Sequence, residues 1–195
     1  MLIMKKKIQE HIEFIYQYFT KPRKVGAIMP SSKYLARNIV EFIDFSKNNL
    51  RIVEYGPGTG PFTERIIRKL KEGDKLILIE QNSKFVRILK EKYSQCTQLV
   101  IVEESVINVA EILNSEKVDE VDYIISGIPF SSLPKKATLD IMEKTKNIMR
   151  DKSLFITFQY STLKLNTFRK YFKILSKKFV FRNVPSAYII CMKKR

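Results

Sequence analysis

A chain of 195 residues can bury one sizeable hydrophobic core but leaves too little sequence for two independent domains. We therefore expect a single domain over residues 1–195. The apolar fraction of 45% and the charged fraction of 29% exclude a disordered chain. The 36 Lys and Arg exceed the 20 Asp and Glu and leave a net charge of +16, which attracts polyanions. RNA and an anionic membrane surface both fit this charge, and charge alone does not distinguish them.

The two cysteines and the N-terminal residues indicate where the protein works. Cys96 and Cys191 lie far apart and belong to no metal-binding motif, so we predict free thiols, a reducing cytoplasm and no metal. No segment approaches the roughly 18 to 20 apolar residues of a membrane-spanning helix. We expect a cytoplasmic protein that at most lies peripherally on the inner face of the cell membrane.

Residues 1–46 are predicted to form an N-terminal helical region. Ile8, Ile12, Ile15 and Phe19 recur at the spacing of one helical face. An apolar face flanked by lysines fits a lid packed on the domain and equally a segment lying on a membrane. The link KPRKVGAIMP follows, and SSKYLARNIVEFI then begins a second helix with a serine at its N-cap.

From residue 50 onward, short apolar runs alternate with amphipathic segments. This alternation predicts an α/β fold, a parallel sheet with helices on both faces, as a Rossmann-like core over residues 50–195. The predicted strands are RIVEY (51–55), KLILIE (75–80), QLVIV (98–102), VDYIIS (121–126) and SLFITF (153–158). The predicted helices lie near 62–72, 83–93, 106–114, 135–149 and 164–175. The runs KFVFRNV and AYIICMKK are separated only by Pro185-Ser186 and are expected to pair as an antiparallel hairpin.

A glycine-rich loop, VEYGPGTGPFT, follows the first strand. Gly56, Gly58 and Gly60 allow a tight turn and a close approach of backbone N–H groups to a ligand. A dinucleotide fingerprint starting at Gly56 would need a small residue at position 61, where this chain has proline. Glu80 ends the next strand, where a carboxylate can accept hydrogen bonds from both hydroxyls of a ribose. Together these features predict a nucleoside-type cofactor.

These motifs resemble motifs I and II of the class I S-adenosylmethionine-dependent methyltransferases. The resemblance implies a seven-stranded, mostly parallel sheet with an antiparallel C-terminal hairpin, and S-adenosyl-L-methionine as cofactor. It also implies that Glu54 interacts with the amino group of the cofactor, that Glu80 holds the ribose, and that Glu104 contacts adenine. The implied cofactor-binding residues are Glu54, Tyr55, Gly56, Gly58, Gly60, Phe62, Thr63, Glu80, Gln81, Glu104, Ser105 and Ser126.

Two groups within this class are similar to the chain. The ribosomal RNA adenine dimethylases share the VEYGPGTGPFT type of motif, and their fourth strand ends in Asn-Leu/Ile-Pro-Tyr/Phe. In those enzymes the asparagine amide holds the exocyclic amine of a flipped adenine. This chain has Gly127-Ile128-Pro129-Phe130 at that position. Glycine supplies no amide, and we interpret it as leaving space for a small amine acceptor.

The bacterial phospholipid N-methyltransferases resemble the chain over almost its whole length. The matching blocks are FTKPRKVGAIMPSSKYLAR, SGIPF, FITFQYS and RNVPSAYI. The resemblance implies methyl transfer to the headgroup amine of phosphatidylethanolamine or a similar membrane lipid. We therefore predict this activity without metal, with an anionic membrane surface and a phospholipid headgroup as partners.

The acceptor-positioning residues are predicted at the fourth and fifth strand ends, where Phe130 and Tyr160 would form an aromatic wall. These residues are Ser126, Gly127, Ile128, Pro129, Phe130 and Tyr160. Further substrate contacts are predicted in the VGAIMPSS block, at Gly26, Pro30, Ser31 and Ser32. Two alternatives remain: an rRNA adenine N6-methyltransferase, with RNA as partner, and a non-catalytic cofactor-binding module for membranes or RNA.

Overall fold

The structure, a computed structural model, describes residues 33–181 and 186–195. The predicted first helix and the proposed substrate contacts Gly26, Pro30, Ser31 and Ser32 lie outside the described residues. The described helices are α1 (Lys33–Val40), α2 (Pro61–Ile67), α3 (Ser83–Lys92), α4 (Val109–Ser115), α5 (Lys135–Ile148) and α6 (Leu165–Tyr171). The strands are β1 (Arg51–Tyr55), β2 (Lys75–Glu80), β3 (Leu99–Glu103), β4 (Val121–Ser126), β5 (Met149–Gln159), β6 (Phe172–Val180) and β7 (Ala187–Lys194).

The seven strands form one mixed sheet in the order β3-β2-β1-β4-β5-β7-β6. Strands β1 to β5 are parallel, and β7 runs antiparallel between β5 and β6. The strand order reverses between β1 and β4, which is where open α/β sheets bind their ligands. The predicted Rossmann-like methyltransferase fold, with its antiparallel C-terminal hairpin, is confirmed.

Apolar residues on both faces of the sheet build two cores, which explains why the central strands are uninterrupted apolar runs. On one face, α4, α5 and α6 pack against Val53, Ile124 and Phe155. On the other face, α1, α2 and α3 pack against Ile52 and Ile125. Both cores hold the carboxyl ends of β1, β2 and β4 in place, so the loops that follow these strands start from a rigid frame.

The predicted boundary between the last helix and the strand after it is wrong, and β5 also starts at Met149, four residues before the predicted strand. The sequence pattern placed a helix over 164–175 and a strand from residue 178, whereas α6 ends at Tyr171 and β6 starts at Phe172. Residues Phe172 to Ile174 pair with β7, with Phe172 opposite Lys194. Pairing along the full length of β7 satisfies these backbone groups, and this outweighs the local helical pattern.

Among residues 33–181 and 186–195, no helix is both long and apolar enough to cross a bilayer. Within the same ranges, no cluster of His, Cys, Asp and Glu side chains is placed to hold a metal ion. Cys96 and Cys191 are free thiols.

Candidate active site

The glycine loop lies at the carboxyl edge of the sheet, at the switch point between β1 and β4. Gly56, Gly58 and Gly60 all have positive φ values, of 59°, 59° and 80°, which favour glycine. The hydroxyl of Tyr93 donates a hydrogen bond to the Gly60 carbonyl at 3.1 Å, and a Cβ on Gly60 would approach that hydroxyl to 2.9 Å. A Cβ on Gly58 would meet nothing within 4 Å. Open space therefore adjoins Gly58, on the side from which a ligand can approach.

Glu80 ties the end of β2 to the glycine loop. Its Oε2 accepts a hydrogen bond from the Gly58 N–H at 3.0 Å, and its Oε1 accepts one from the Asn82 N–H at 2.9 Å. Burial raises the pKa of this carboxyl, and the hydrogen bonds from Asn82 and Gly58 oppose that increase. Each carboxylate oxygen has a second lone pair, so both could still accept bonds from ligand hydroxyls.

Glu54 is a buried carboxyl with an unfilled hydrogen-bonding position. It is fully buried, its Oε2 accepts a hydrogen bond from the Thr63 hydroxyl at 2.8 Å, and its Oε1 has no partner. Burial raises the pKa of Glu54 to about 8, and the hydrogen bond from Thr63 only partly opposes this. A cationic group beside Oε1 would complete the site and favour ionisation of the carboxyl. The amino group of a methionine moiety is such a group.

The remaining predicted cofactor contacts are in three different settings. Tyr55 and Phe62 have side chains buried in the two cores, so only their backbone atoms are available to a ligand. Gln81 and Glu104 are exposed at the ends of β2 and β3. Ser105 caps the short 3-10 helix after β3, since its Oγ accepts from the Ile107 N–H at 3.4 Å.

The SGIPF turn packs directly on the glycine loop. The Gly127 N–H donates to the Tyr55 carbonyl at 2.8 Å, and a Cβ on Gly127 would lie 2.5 Å from the carbonyl oxygen of Gly56. Real Cβ atoms do not approach an oxygen that closely, so a side chain fits there only if the backbone shifts. The interpretation of Gly127 as a position that leaves space for the acceptor is wrong, because backbone fills that space.

The predicted aromatic wall is also wrong for Phe130. This ring is fully buried and packs edge-to-face on Phe155 and Phe168, with centroids 6.4 and 5.5 Å apart. It therefore anchors the turn in the core. Ser126 also acts on the backbone, since its Oγ accepts from the Ile128 N–H at 3.2 Å.

Sequence reasoning assigned no role to Gln159, the last residue of β5. Its Nε2 donates to the carbonyls of Phe158 at 2.6 Å and Ile128 at 3.3 Å, so the amide nitrogen faces these acceptors. The amide oxygen has no partner although the residue is only 2% exposed. Next to it, the Tyr160 ring packs edge-to-face on Phe158 at 5.5 Å. A polar residue ending an otherwise apolar strand was the sequence signal for this position.

Comparison with known proteins identifies the family. Residues 22–181 match the family model described as "Ribosomal RNA adenine dimethylase". The chain belongs to this family. It is a class I S-adenosylmethionine-dependent methyltransferase, as the glycine loop and Glu80 predicted. The Glu54 carboxyl, whose Oε1 has no hydrogen-bond partner, and the open space beside Gly58 fit the cofactor.

The similar proteins differ in how much of their length the chain matches. An ornithine lipid N-methyltransferase from Singulisphaera acidiphila is 28% identical over 176 residues, which cover 89% of this chain and 91% of that protein. A ribosomal RNA small subunit methyltransferase A from Mycoplasma mycoides is 33% identical over 114 residues. That match covers 58% of this chain and only 40% of the relative.

Solved structures confirm the fold. TrmN from Thermus thermophilus superposes with a TM-score of 0.68 at 13% identity, covering 92% of this chain and 53% of that one. The N-methyltransferase NodS from Bradyrhizobium japonicum, solved with S-adenosyl-L-homocysteine, gives a TM-score of 0.66 at 7% identity. Coverage in that case is 83% of this chain and 87% of the other.

Proposed function

We propose that this methyltransferase transfers methyl groups to the headgroup amine of a membrane lipid. Phosphatidylethanolamine and ornithine-type lipids both carry such an amine. The observation that carries the proposal is the contact between Gly127 and the Gly56 carbonyl. Because a Cβ at position 127 would meet backbone at 2.5 Å, this strand end accepts the amide on which adenine methylation depends only if the glycine loop shifts.

The extent of similarity supports the same acceptor class. The lipid-methylating relative matches over 91% of its own length, whereas the RNA-methylating relative matches over 40%. Family membership fixes the fold and the cofactor but not the acceptor, since one scaffold supports many substrates. The family model and the net charge of +16 favour an rRNA adenine acceptor as the second candidate.

For the cofactor, we assign a separate task to each buried carboxyl. Glu54, held by Thr63, binds the amino group, and Glu80 binds the ribose hydroxyls while it fixes the loop at Gly58. Glu104, Ser105 and Gln81 remain proposals for the adenine side. When bound, S-adenosylmethionine supplies a methyl group already activated on a sulfonium. The protein therefore has to orient the acceptor nitrogen and exclude water.

We assign acceptor positioning to Gln159. Hydrogen bonds from its amide nitrogen to two backbone carbonyls, one of them Ile128 in the SGIPF turn, fix the side chain, and its buried amide oxygen has no partner. We propose that this oxygen accepts a bond from an amine N–H, which would give β5 the amide that the end of β4 lacks. Low solvent exposure also favours the neutral, nucleophilic form of the amine over the ammonium form.

A single assay tests the acceptor. Labelled S-adenosylmethionine is offered with phosphatidylethanolamine or ornithine lipid in anionic vesicles and, separately, with unmethylated ribosomal RNA. We expect label in lipid only, and transfer to RNA alone would overturn the proposal. In the lipid assay, Gln159→Leu should raise KM for lipid or lower kcat about tenfold or more, as expected for a lost buried hydrogen bond, while the cofactor Kd stays unchanged. Ser153→Ala, near the opposite end of β5, removes a buried hydroxyl that bonds to the Val121 carbonyl and not to Gln159, and it serves as the control.

Cofactor affinity should depend on pH through Glu54. The pKa of about 8 means that this carboxyl is mostly protonated in the free protein at pH 6, and binding a cationic amino group requires its ionisation. Between about pH 5.5 and 7 the α-amino group stays charged, so affinity should rise by about tenfold per pH unit. Calorimetry in buffers of different ionisation enthalpy would record the released proton.

The control for this pH dependence is Glu54→Gln, which keeps the shape of the side chain and removes its titration. Glu80 also has a raised pKa, so a shallow slope can remain in the variant. A slope as steep as that of the wild type would show that Glu54 does not bind the amino group.

A further inference from the structure

Exposed apolar side chains gather at the carboxyl edge of the sheet, the edge that holds the glycine loop. Leu163, in the loop after β5, is 83% exposed, and Phe181, directly after β6, is 78% exposed. Phe179 is 38% exposed and contacts Phe181 and Tyr188, with ring centroids 4.4 and 4.7 Å away. We call Leu163, Phe179 and Phe181 the apolar tips.

Strand register places these tips beside the active site. At the ends of β1, β4 and β5, Tyr55 pairs with Ser126 and Ser126 pairs with Thr157. Two residues further along β5, Gln159 pairs with Tyr188 of β7, and Tyr188 pairs with Phe179 of β6. The ends of β1, β4, β5 and β6 and the start of β7 therefore lie along one edge. Strand β6 is two positions from β5, or about 10 Å at the usual strand spacing.

Lysines also lie near the apolar tips. Residues 152–195 hold eleven of the 36 Lys and Arg and none of the 20 Asp and Glu, although Lys173, Lys193 and Lys194 lie at the opposite end of β6 and β7. Lys164 adjoins Leu163 in sequence, and Lys177 lies with its Nζ 5.4 Å from the Tyr188 ring centroid. Lys178 makes an ion pair of 3.5 Å with Glu41, and both side chains remain about half exposed. Apolar tips bordered by lysines match the interfacial region of an anionic bilayer.

We propose that the apolar tips insert into the anionic phospholipid surface and hold the carboxyl edge of the sheet against the bilayer. The inference rests on the proposed lipid acceptor and extends it. The acyl chains of an acceptor lipid stay in the membrane, so its headgroup amine reaches Gln159 only if this edge faces the bilayer. An aliphatic tip such as Leu163 offers nothing for a nucleic acid base to stack on, whereas lipid accommodates aliphatic and aromatic side chains alike.

Vesicle sedimentation with the double variant Leu163→Ser/Phe181→Ser tests this surface. The vesicles contain phosphatidylcholine with phosphatidylglycerol, which offers no acceptor amine, and all lysines are kept. We expect the partition coefficient to fall about tenfold or more, because two apolar side chains no longer enter the interface. The control is Ile88→Ser on α3, which replaces an apolar side chain that is 41% exposed and lies away from the apolar tips. This variant should bind vesicles like the wild type.

Further measurements on the double variant test the membrane-binding surface independently of the proposed lipid acceptor. The double variant should keep the wild-type melting temperature, cofactor Kd and kcat/KM for a short-chain acceptor lipid below its aggregation concentration, and lose activity only on vesicles. If the double variant binds vesicles like the wild type, the proposed membrane-binding surface is wrong, whether or not binding to ribosomal RNA is weakened. The proposed lipid methylation would be unaffected by that result. If vesicle binding depends on Leu163 and Phe181 but no lipid is methylated, the membrane-binding surface is supported and the proposed lipid acceptor is wrong.

Discussion

Glu80→Ala is expected to weaken S-adenosylmethionine binding by about 2–4 kcal/mol, which is roughly thirtyfold to a thousandfold in Kd. The variant loses the carboxylate that we propose as the acceptor for two ribose hydroxyls. It also loses the bond that Gly58 donates at 3.0 Å, so the glycine loop is no longer held in its binding conformation. Isothermal titration calorimetry with S-adenosylmethionine or its demethylated product measures the effect.

Two variants show whether the loss comes from this carboxylate. Glu80→Gln keeps one acceptor oxygen and the side-chain shape, so its affinity should fall between those of the wild type and of the alanine variant. Glu104→Gln, on the exposed carboxyl at the end of β3, should cost much less. A near-normal Kd in a folded Glu80→Ala protein would refute the assignment of Glu80 to the ribose.

Gly127→Asn is expected to abolish most of the proposed lipid methylation without creating an adenine methyltransferase. The new Cβ would lie 2.5 Å from the Gly56 carbonyl oxygen, so the glycine loop must move away from its binding position. We expect the variant to lose about 1–3 kcal/mol in the free energy of unfolding, as overpacked sites do, and to bind the cofactor more weakly. Chemical denaturation and calorimetry measure these two effects.

The matched control is Ile128→Asn, which places the same amide one residue further along the half-buried turn. That variant keeps the number of side-chain heavy atoms beside the glycine loop, where Ile128 Cγ1 already adjoins Gly56, so it should retain more cofactor affinity than Gly127→Asn. The outcome that contradicts our interpretation is a Gly127→Asn protein with normal cofactor affinity that methylates adenine in ribosomal RNA. In that case the glycine would be the determinant of acceptor choice and not a packing requirement.

Local patterns were sufficient for the central strands and the cofactor loop. The apolar runs of β1, β2 and β4 predict buried parallel strands, and the glycines with Glu80 occupy fixed positions relative to these strands. These features depend on a few consecutive residues and on the period of the chain, so the sequence carries them directly. The start of β6 at Phe172 was missed because it depends on pairing with β7, which lies further along the chain.

The acceptor side could not be derived in the same way. Phe130 was predicted to be a wall of the site, but contacts with Phe155 on β5 and Phe168 on α6 place it in the core. Gln159 lies 29 residues after Phe130 in the sequence, and only the parallel pairing of β4 with β5 brings its amide to the SGIPF turn. Such contacts are distant in sequence and leave no local periodicity.

The sequence by itself determined the α/β class, the glycine loop, the acidic strand ends and the strong positive charge. Each of these follows from backbone propensity, apolar periodicity or side-chain chemistry within a short segment. Only the tertiary structure decided why residue 127 is a glycine, because its reason is a backbone oxygen of the loop after β1, 71 residues earlier. Close packing of two strand ends, and not an open acceptor pocket, excludes the side chain there.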